Sequence, residues 1–531
     1  MKKSSLTTAV VAGIVGAAGL VSVSNAVNIN PDGLGQALIY PYYTVNKGNN
    51  TLISVVNTTN QTKAVKVRFM EGRNSQEVLD FNLYMSPFDV WTAAIVTGGP
   101  EGTVPAAAPA ARVITSDTSC TVPSLATDPF DGQPGIAFRN YQYAVGTEKV
   151  TGPWALSRTR EGHIEMIEMG VLDPTGSLAA AAKHNASGVP ANCAALNAAW
   201  DIGGGVWTDT AGQAQMLPPA GGLFGGAEIV NAPQGQSISY NADAIEGFFV
   251  SAASNLHTDP GSLAPSLADA QTSPGAATAI VFANGTLHQF PFVGTGAGLK
   301  AVSAVFMHNE IYNEYSSSVS ANLSSESEWV ITFPTKRLHI TQSQPLRLPF
   351  RSAYDRSAGG ACEPININFW NREEATTSAS GVPFSPPAPG QAAPSLCYEA
   401  QIVTFNQSGI GDYLDGGNRS GIFGSYYARN VSTSTFINGW ARIRLGDQSA
   451  TSSTQNFLPL DTPTATPITT DVLVGLPVTG FWASNFAGTG SGVLANFSIV
   501  HKHRADRLIL EDVSVSTQTG GNPIWRAVSA Q

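Results

Sequence analysis

His501 and His503, in the string VHKHR, are two residues apart, a spacing that turns both imidazoles to one face of a β-strand. A metal held there would need one or two further ligands from elsewhere in the chain. The plainer reading is a polar strand end. His163 and Glu165 repeat the spacing in EGHIEMIEMG, with Glu161 and Glu168 beside them. Glycoside hydrolysis requires two carboxylates about 5–10 Å apart across a sugar; the competing expectation is that these glutamates form the wet face of a strand. His308 and Glu310 in MHNE carry the same ambiguity. Asp412, Asp415 and Asn418 in GDYLDGGN place oxygen donors in a Gly-rich loop, as calcium sites do, but the spacing departs from the EF-hand pattern and lacks its closing glutamate. Trp370, Trp440 and Trp482 are candidates for a flat sugar-stacking surface; otherwise they are core or rim packing. Leu476–Gly480 spells LPVTG, but no long apolar run and basic tail follow it, so a wall-anchoring role is not expected. The sequence contains no Gly-x-Ser-x-Gly, His-Glu-x-x-His or P-loop string. No catalytic residue is therefore assigned, enzymatic activity is left open with the balance against it, and no cofactor is expected beyond structural calcium.

The groups that would have to be positioned belong to a chain of low charge. Asp, Glu, Lys and Arg make up 12% of its 531 residues, against about a quarter in typical globular domains. At 43% hydrophobic the chain is too apolar to remain disordered. The formal net charge is −10, without basic clusters, which argues against nucleic acid and against anionic membrane surfaces.

Lys2 and Lys3 precede the uncharged run TTAVVAGIVGAAGLV, and Ser24 and Ala26 put small residues at the −3 and −1 positions of a cleavage site. This order is that of a secretory signal peptide over residues 1–26, too short to span about 30 Å of hydrocarbon. The chain is thus expected to be exported and, once cleaved, to have no membrane span. Cys120, Cys193, Cys362 and Cys397 fit an oxidising compartment. Four cysteines allow three pairings; Cys120–Cys193 with Cys362–Cys397 is the favoured one. Without a Cys-x-x-Cys spacing, zinc is not expected.

From Gln36 to Ile95 apolar residues alternate with polar ones. Val65, Val67 and Phe69 against Lys66 and Arg68 predict a strand with one buried and one wet face. Turn signals recur at about ten-residue intervals, the pattern of an antiparallel sandwich. A Gly-, Ala- and Pro-rich stretch over Thr97–Ala126 reads as linker. Alanine-rich Leu178–His184 and Ala191–Trp200 are the helix candidates, separated by Gly188–Pro190. Strands resume at Ala227–Asn231, Ser237–Tyr240 and Ala279–Phe282. After about Lys300 strong alternation returns at Trp329–Phe333, Ile365–Trp370, Ala400–Val403, Ala441–Leu445 and Val493–Val500, interrupted by the Pro- and Ser-rich segment Thr376–Ser395. The long irregular insertions argue against a closed outer-membrane barrel.

The stretch ALIYPYYTVNKGNNTLISVVNTTNQTKAVKVRFMEGRNSQEVLDFNLYMSPFDVWTAAI (Ala37–Ile95) resembles a group of uncharacterised exported and cell-surface proteins of Gram-negative bacteria, and EWVITFPTKR (Glu328–Arg337) looks like a second shared patch. The resemblance implies a β-rich surface or secreted protein and brings no catalytic residue with it.

The expected fold is mainly β, with one or more antiparallel, immunoglobulin-like β-sandwich modules, long loops and a short α-helical insertion. Its organisation is a signal peptide (1–26), an N-terminal sandwich (27–98), a mixed Ala/Gly-rich region (99–299) and a C-terminal β-rich domain (300–531). The expected role is that of a cell-surface or extracellular structural or interaction protein, with the periplasm as another compartment. Its partners would be cell-envelope components or copies of itself, held non-covalently. A secreted hydrolase and a carbohydrate- or other ligand-binding protein are the alternatives.

Overall fold

A computed structural model of the chain describes residues 26–99, 109–144, 156–208, 213–317, 323–340, 348–354, 360–378, 394–406, 420–433, 436–448, 455–461, 467–488, 496–517 and 523–526. Residues 1–25, including Ser24 of the expected cleavage site, and Asp412, Asp415 and Asn418 lie outside them.

The fold is mainly β and built from antiparallel sheets with a single parallel pair, Ala400–Asn406 with Ala428–Ser432, among the described residues. The first sheet runs in the order Asn28–Ile29, Asp243–Glu246, Ala37–Thr44, Glu161–Leu172, Lys63–Glu71, Glu77–Met85, Cys120–Val122. The second runs Gln236–Asn241, Leu223–Asn231, Asn50–Asn57, Val90–Thr97, Ala111–Ile114, Gly135–Ala137. These two sheets face each other across one core, with Leu38, Val67, Phe69 and Phe81 opposite Ile53, Val55, Trp91 and Ile229. The alternating strands of residues 37–97 do form a sandwich, but they do not complete it. Glu161–Leu172 occupies the centre of the first sheet, between Ala37–Thr44 and Lys63–Glu71, and Leu223–Asn231 pairs with Asn50–Asn57 in the second.

A second sandwich stands beside the first. One of its sheets is Ala428–Ser432, Ala400–Asn406, Leu323–Thr332, Thr479–Gly488, Asn496–Lys502; the other is Thr376–Ser378, Glu363–Asn371, Asn438–Leu445, Glu310–Ser316, Arg504–Asp506. Period-two alternation explains how the two sandwiches join. On Leu323–Thr332, Trp329 and Ile331 enter the second sandwich's core while Val330 enters the first's, where Ala400, Ile402 and Phe481 join it. That sheet is therefore covered on both faces.

Three local readings differ from the sequence pattern. The face of Lys63–Glu71 expected to be wet is buried, because the segment 257–265 lies across it: Lys66 Nζ donates to the Pro260 carbonyl (2.6 Å), and Asn82 Nδ2 to that of Thr258 (2.9 Å). The stretch read as linker contains the short strands Ala111–Ile114 and Cys120–Val122. A ten-residue helix, Ala297–Phe306, stands where strand alternation was expected to begin, its apolar face packed on the hairpin Ala276–Ala283/Thr286–Val293. The alanine-rich helices form over Ser177–Ala182 and Cys193–Ala198.

Both disulfides adopt the favoured pairing, Cys120–Cys193 and Cys362–Cys397. The first ties the edge strand Cys120–Val122 to the helix Cys193–Ala198 across 73 residues. Replacing both cysteines of this bridge with alanine is expected to lower unfolding free energy by about 4 kcal/mol on chain-entropy grounds, measured by urea denaturation with and without reductant. The variant should be indifferent to reduction of that bridge.

Candidate functional site

The outer face of the second sheet carries a trough whose shape follows from its cross-strand rows. One row reads Asn241, Gly226, Ser54, Thr92 across four strands. The next reads Ser239, Glu228, Leu52, Ala94, Ile114, and a third reads Phe224, Val56, Val90. The small side chains of the first row form a floor beside the larger side chains of the second, and a cavity of about 760 Å³ lies over both. In the third row Phe224 and Val90 stand 42% and 49% exposed, outside the lining of that cavity.

At the edge strand Gln236–Asn241 the trough continues into the cleft between the sandwiches. Ser239, Tyr240 and Asn241 line both the outer cavity and the next one, of about 270 Å³, which also meets Phe481 and His501. Asp243, Gly480 and Lys502 are shared in turn with a third cavity of about 270 Å³, which ends at His308 and Arg507.

The charged groups along this path already have hydrogen-bond partners. Lys502 Nζ and the Thr479 hydroxyl both bond to the Asp243 carboxylate. Arg507 donates to the carbonyls of Met307 (3.1 Å), Phe282 (3.2 Å) and Val305 (2.8 Å), a cation at the C-terminal end of helix Ala297–Phe306. Burial lowers its pKa to about 10. His503 Nε2 lies 2.7 Å from the Val330 carbonyl, which can only accept, so Nε2 carries the proton and Nδ1 accepts from Asn313 Nδ2. Burial pushes His503 down to about 4, and it is neutral at pH 7. His501 and His503 do share a face, resting on the cross-strand pair Trp482 and Trp329. Both nitrogens of His503 are in use, and among the described residues no three His, Cys, Asp or Glu side chains gather as a metal set. His308, at the closed end, is held well below its ordinary pKa by burial, with Arg507 and His503 adding; its Nδ1 is buried without a hydrogen-bond partner.

The glutamates of EGHIEMIEMG are not a wet face: every residue of Glu161–Leu172 is buried. Neighbouring strands supply counter-charges in register, which the sequence of one strand cannot show. Glu168 meets Lys63 at 2.6 Å and accepts the Ala220 and Gly221 amides. Glu165 lies 3.3 Å from Arg68 and 3.7 Å from His163. Glu161 accepts from Tyr42 Oη (2.7 Å) and Asn46 of the first sandwich, and from Ser425 Oγ (2.5 Å) and the Tyr426 amide (2.7 Å) of the second. Residues that no sequence signal marked complete the joint. Arg158 forks onto Glu71 (2.8 and 3.1 Å), Glu399 accepts from Ser75 Oγ (3.2 Å), and Glu328 accepts the Ile422 and Phe423 amides.

The tryptophans do not make a flat platform. Trp482 is buried under His501, and Trp370 and Trp440 lie face to face, 4.1 Å apart at 9°, with Trp440 42% exposed. Leu476–Gly480 is incorporated in strands, with Leu476 and Val478 buried. Comparison with protein-family models, curated proteins and solved structures finds no match to the chain.

Two measurements probe these buried carboxylates. Lys63→Met strands the Glu168 carboxylate and is expected to cost about 3–5 kcal/mol, most of it recovered when Glu168→Leu is added, because a buried charge is costly once its partner is gone; urea titrations of the single and double variants check this. Burial, with Glu326 adding, pushes Glu328 up to about 7. A carboxyl raised in the folded state contributes stability that is present below the unfolded value near 4.5 and lost as pH rises through about 7. The melting temperature of Glu328→Gln should therefore fall less steeply between pH 5 and pH 8 than that of the parent; identical slopes would show that Glu328 does not titrate in this window.

Proposed function

We propose that the chain is exported and works at the cell surface or in the extracellular space as a non-catalytic interaction protein that binds rather than transforms its partner. The observation that carries this reading is the trough along the second sheet, which shares lining residues with the cavities in the cleft between the sandwiches. Glu161, Glu165, Glu168 and His503, which sequence spacing offered for chemistry, are engaged in holding sheets together. Glu161 has four hydrogen-bond donors around it and His503 has both ring nitrogens occupied, which supports binding over turnover. The signal-like residues 1–26, the two disulfides and the resemblance of Ala37–Ile95 and Glu328–Arg337 to exported Gram-negative proteins support the compartment.

Cell fractionation tests the proposal. The processed chain should be retained with washed envelopes and released by chaotropes without cleavage; recovery of all of it as free monomer in the medium would refute surface retention.

Processing after Ala26 has a structural corollary. Ala26 and Val27 are buried, the Val27 amide donates to the Thr278 carbonyl (2.8 Å), and the Ile280 amide donates to that of Val27 (2.9 Å). A peptidase can reach the Ala26–Val27 bond only before this segment docks. Purified full-length precursor should resist signal peptidase when native and be cut in urea-loosened form, with N-terminal sequencing starting at Val27; equal cleavage of both forms would contradict early processing.

A further inference from the structure

We infer that the trough takes a neutral, hydroxyl-rich chain, an uncharged oligosaccharide, laid across the strands of the second sheet; this rests on the binding role proposed above and specifies its ligand.

The orientation of the floor favours a sugar over a peptide. A peptide recognised by main-chain pairing adds along a free sheet edge. Of the four strands the first floor row crosses, Leu223–Asn231, Asn50–Asn57 and Val90–Thr97 are each hydrogen-bonded to a strand on both sides, and the edge strand Gln236–Asn241 has Asn496–Lys502 lying against it. Their backbone groups are committed, so recognition falls to side chains. Those are Ser54, Thr92, Ser239 and Asn241, with Ser116 and Gln133 at one end. Hydroxyls and amides both donate and accept, which matches a ligand whose every ring offers both. Leu52 and Ile114 give the lining apolar surface for the C–H faces of sugar rings.

Charge points the same way. Asp243 is neutralised by Lys502, Arg507 is spent on three carbonyls, and Glu228 accepts the Ser237 hydroxyl. The Glu228 carboxylate in the lining disfavours an anionic polymer and can accept a sugar hydroxyl.

The test is calorimetric titration of the processed chain with cellohexaose, laminarihexaose, maltohexaose, N-acetylchitohexaose, hexagalacturonate and a neutral Gly/Ser/Asn decapeptide. At least one neutral hexasaccharide should bind with Kd below about 1 mM, with affinity unchanged on adding salt. Ser54→Trp, which fills the floor, should weaken that binding by about tenfold or more, and Thr92→Trp repeats the test if the first variant fails to fold. Trp440→Ala, in the second sandwich and outside the trough lining, should bind as the parent does. Preference for hexagalacturonate, binding of the decapeptide alone, binding of none of the hexasaccharides, or undiminished binding by the folded floor variants would each overturn the inference. Envelope retention without sugar binding would remove the ligand class and leave the interaction role standing. Sugar binding by a freely released chain would do the reverse.

Discussion

A strand covered on both faces must settle its charges internally, and the architecture turns on how Glu161–Leu172 meets that demand. Removing a carboxylate from water costs several kcal/mol unless hydrogen bonds and a counter-charge compensate. Here the compensation comes from other elements: Lys63 and Arg68 from the adjacent strand, the Ala220–Gly221 amides from a loop, Ser425 and Tyr426 from the other sandwich. Each carboxylate fixes a register, since a slip by one residue would leave it facing no partner. Glu161 does more than its neighbours, because its donors come from both halves of the molecule and so set how the halves meet.

That joint also shapes the trough. With the first sheet closed in between the second sheet, the segment 257–265 and the second sandwich, the outer face of the second sheet is left to solvent, floored by Gly226, Ser54 and Thr92. Where Gln236–Asn241 passes near Asn496–Lys502, the two sandwiches contribute opposite walls: Tyr240 stacks on Phe481 at 4.7 Å, and Asn496 Nδ2 donates to the Gln234 carbonyl. The cleft is a product of assembly, and neither half contains it alone.

Much of the fold was legible in the alternation of apolar residues. Strands around Val65–Phe69, Trp329–Phe333 and Ile365–Phe369, the sandwich character and the cysteine pairing all follow from local pattern and spacing. The covering of a polar face does not. Lys66 and Arg68 alternate as solvent-facing residues do, and nothing within Lys63–Glu71 reveals that residues near 260, almost two hundred positions on, lie across them. The glutamates of Glu161–Leu172 misled for the same reason. The trough was invisible because its floor depends on small residues meeting across four strands, and register is a property of pairs of strands. His501, His503 and His308 did mark one end of it, His503 with both ring nitrogens hydrogen-bonded to the structure.

The cross-links are distributed unevenly. Cys120–Cys193 lies within the first half of the chain and Cys362–Cys397 within the second, so neither bridge spans the joint. Load passing from one sandwich to the other is carried by side-chain hydrogen bonds such as those of Glu161, by the packing of Val330 and Phe481, and by the polypeptide between Glu246 and Met307. Under tension the molecule is thus two covalently reinforced blocks with a non-covalent seam, and extension is expected to begin at the seam, where the buried carboxylates would meet water first.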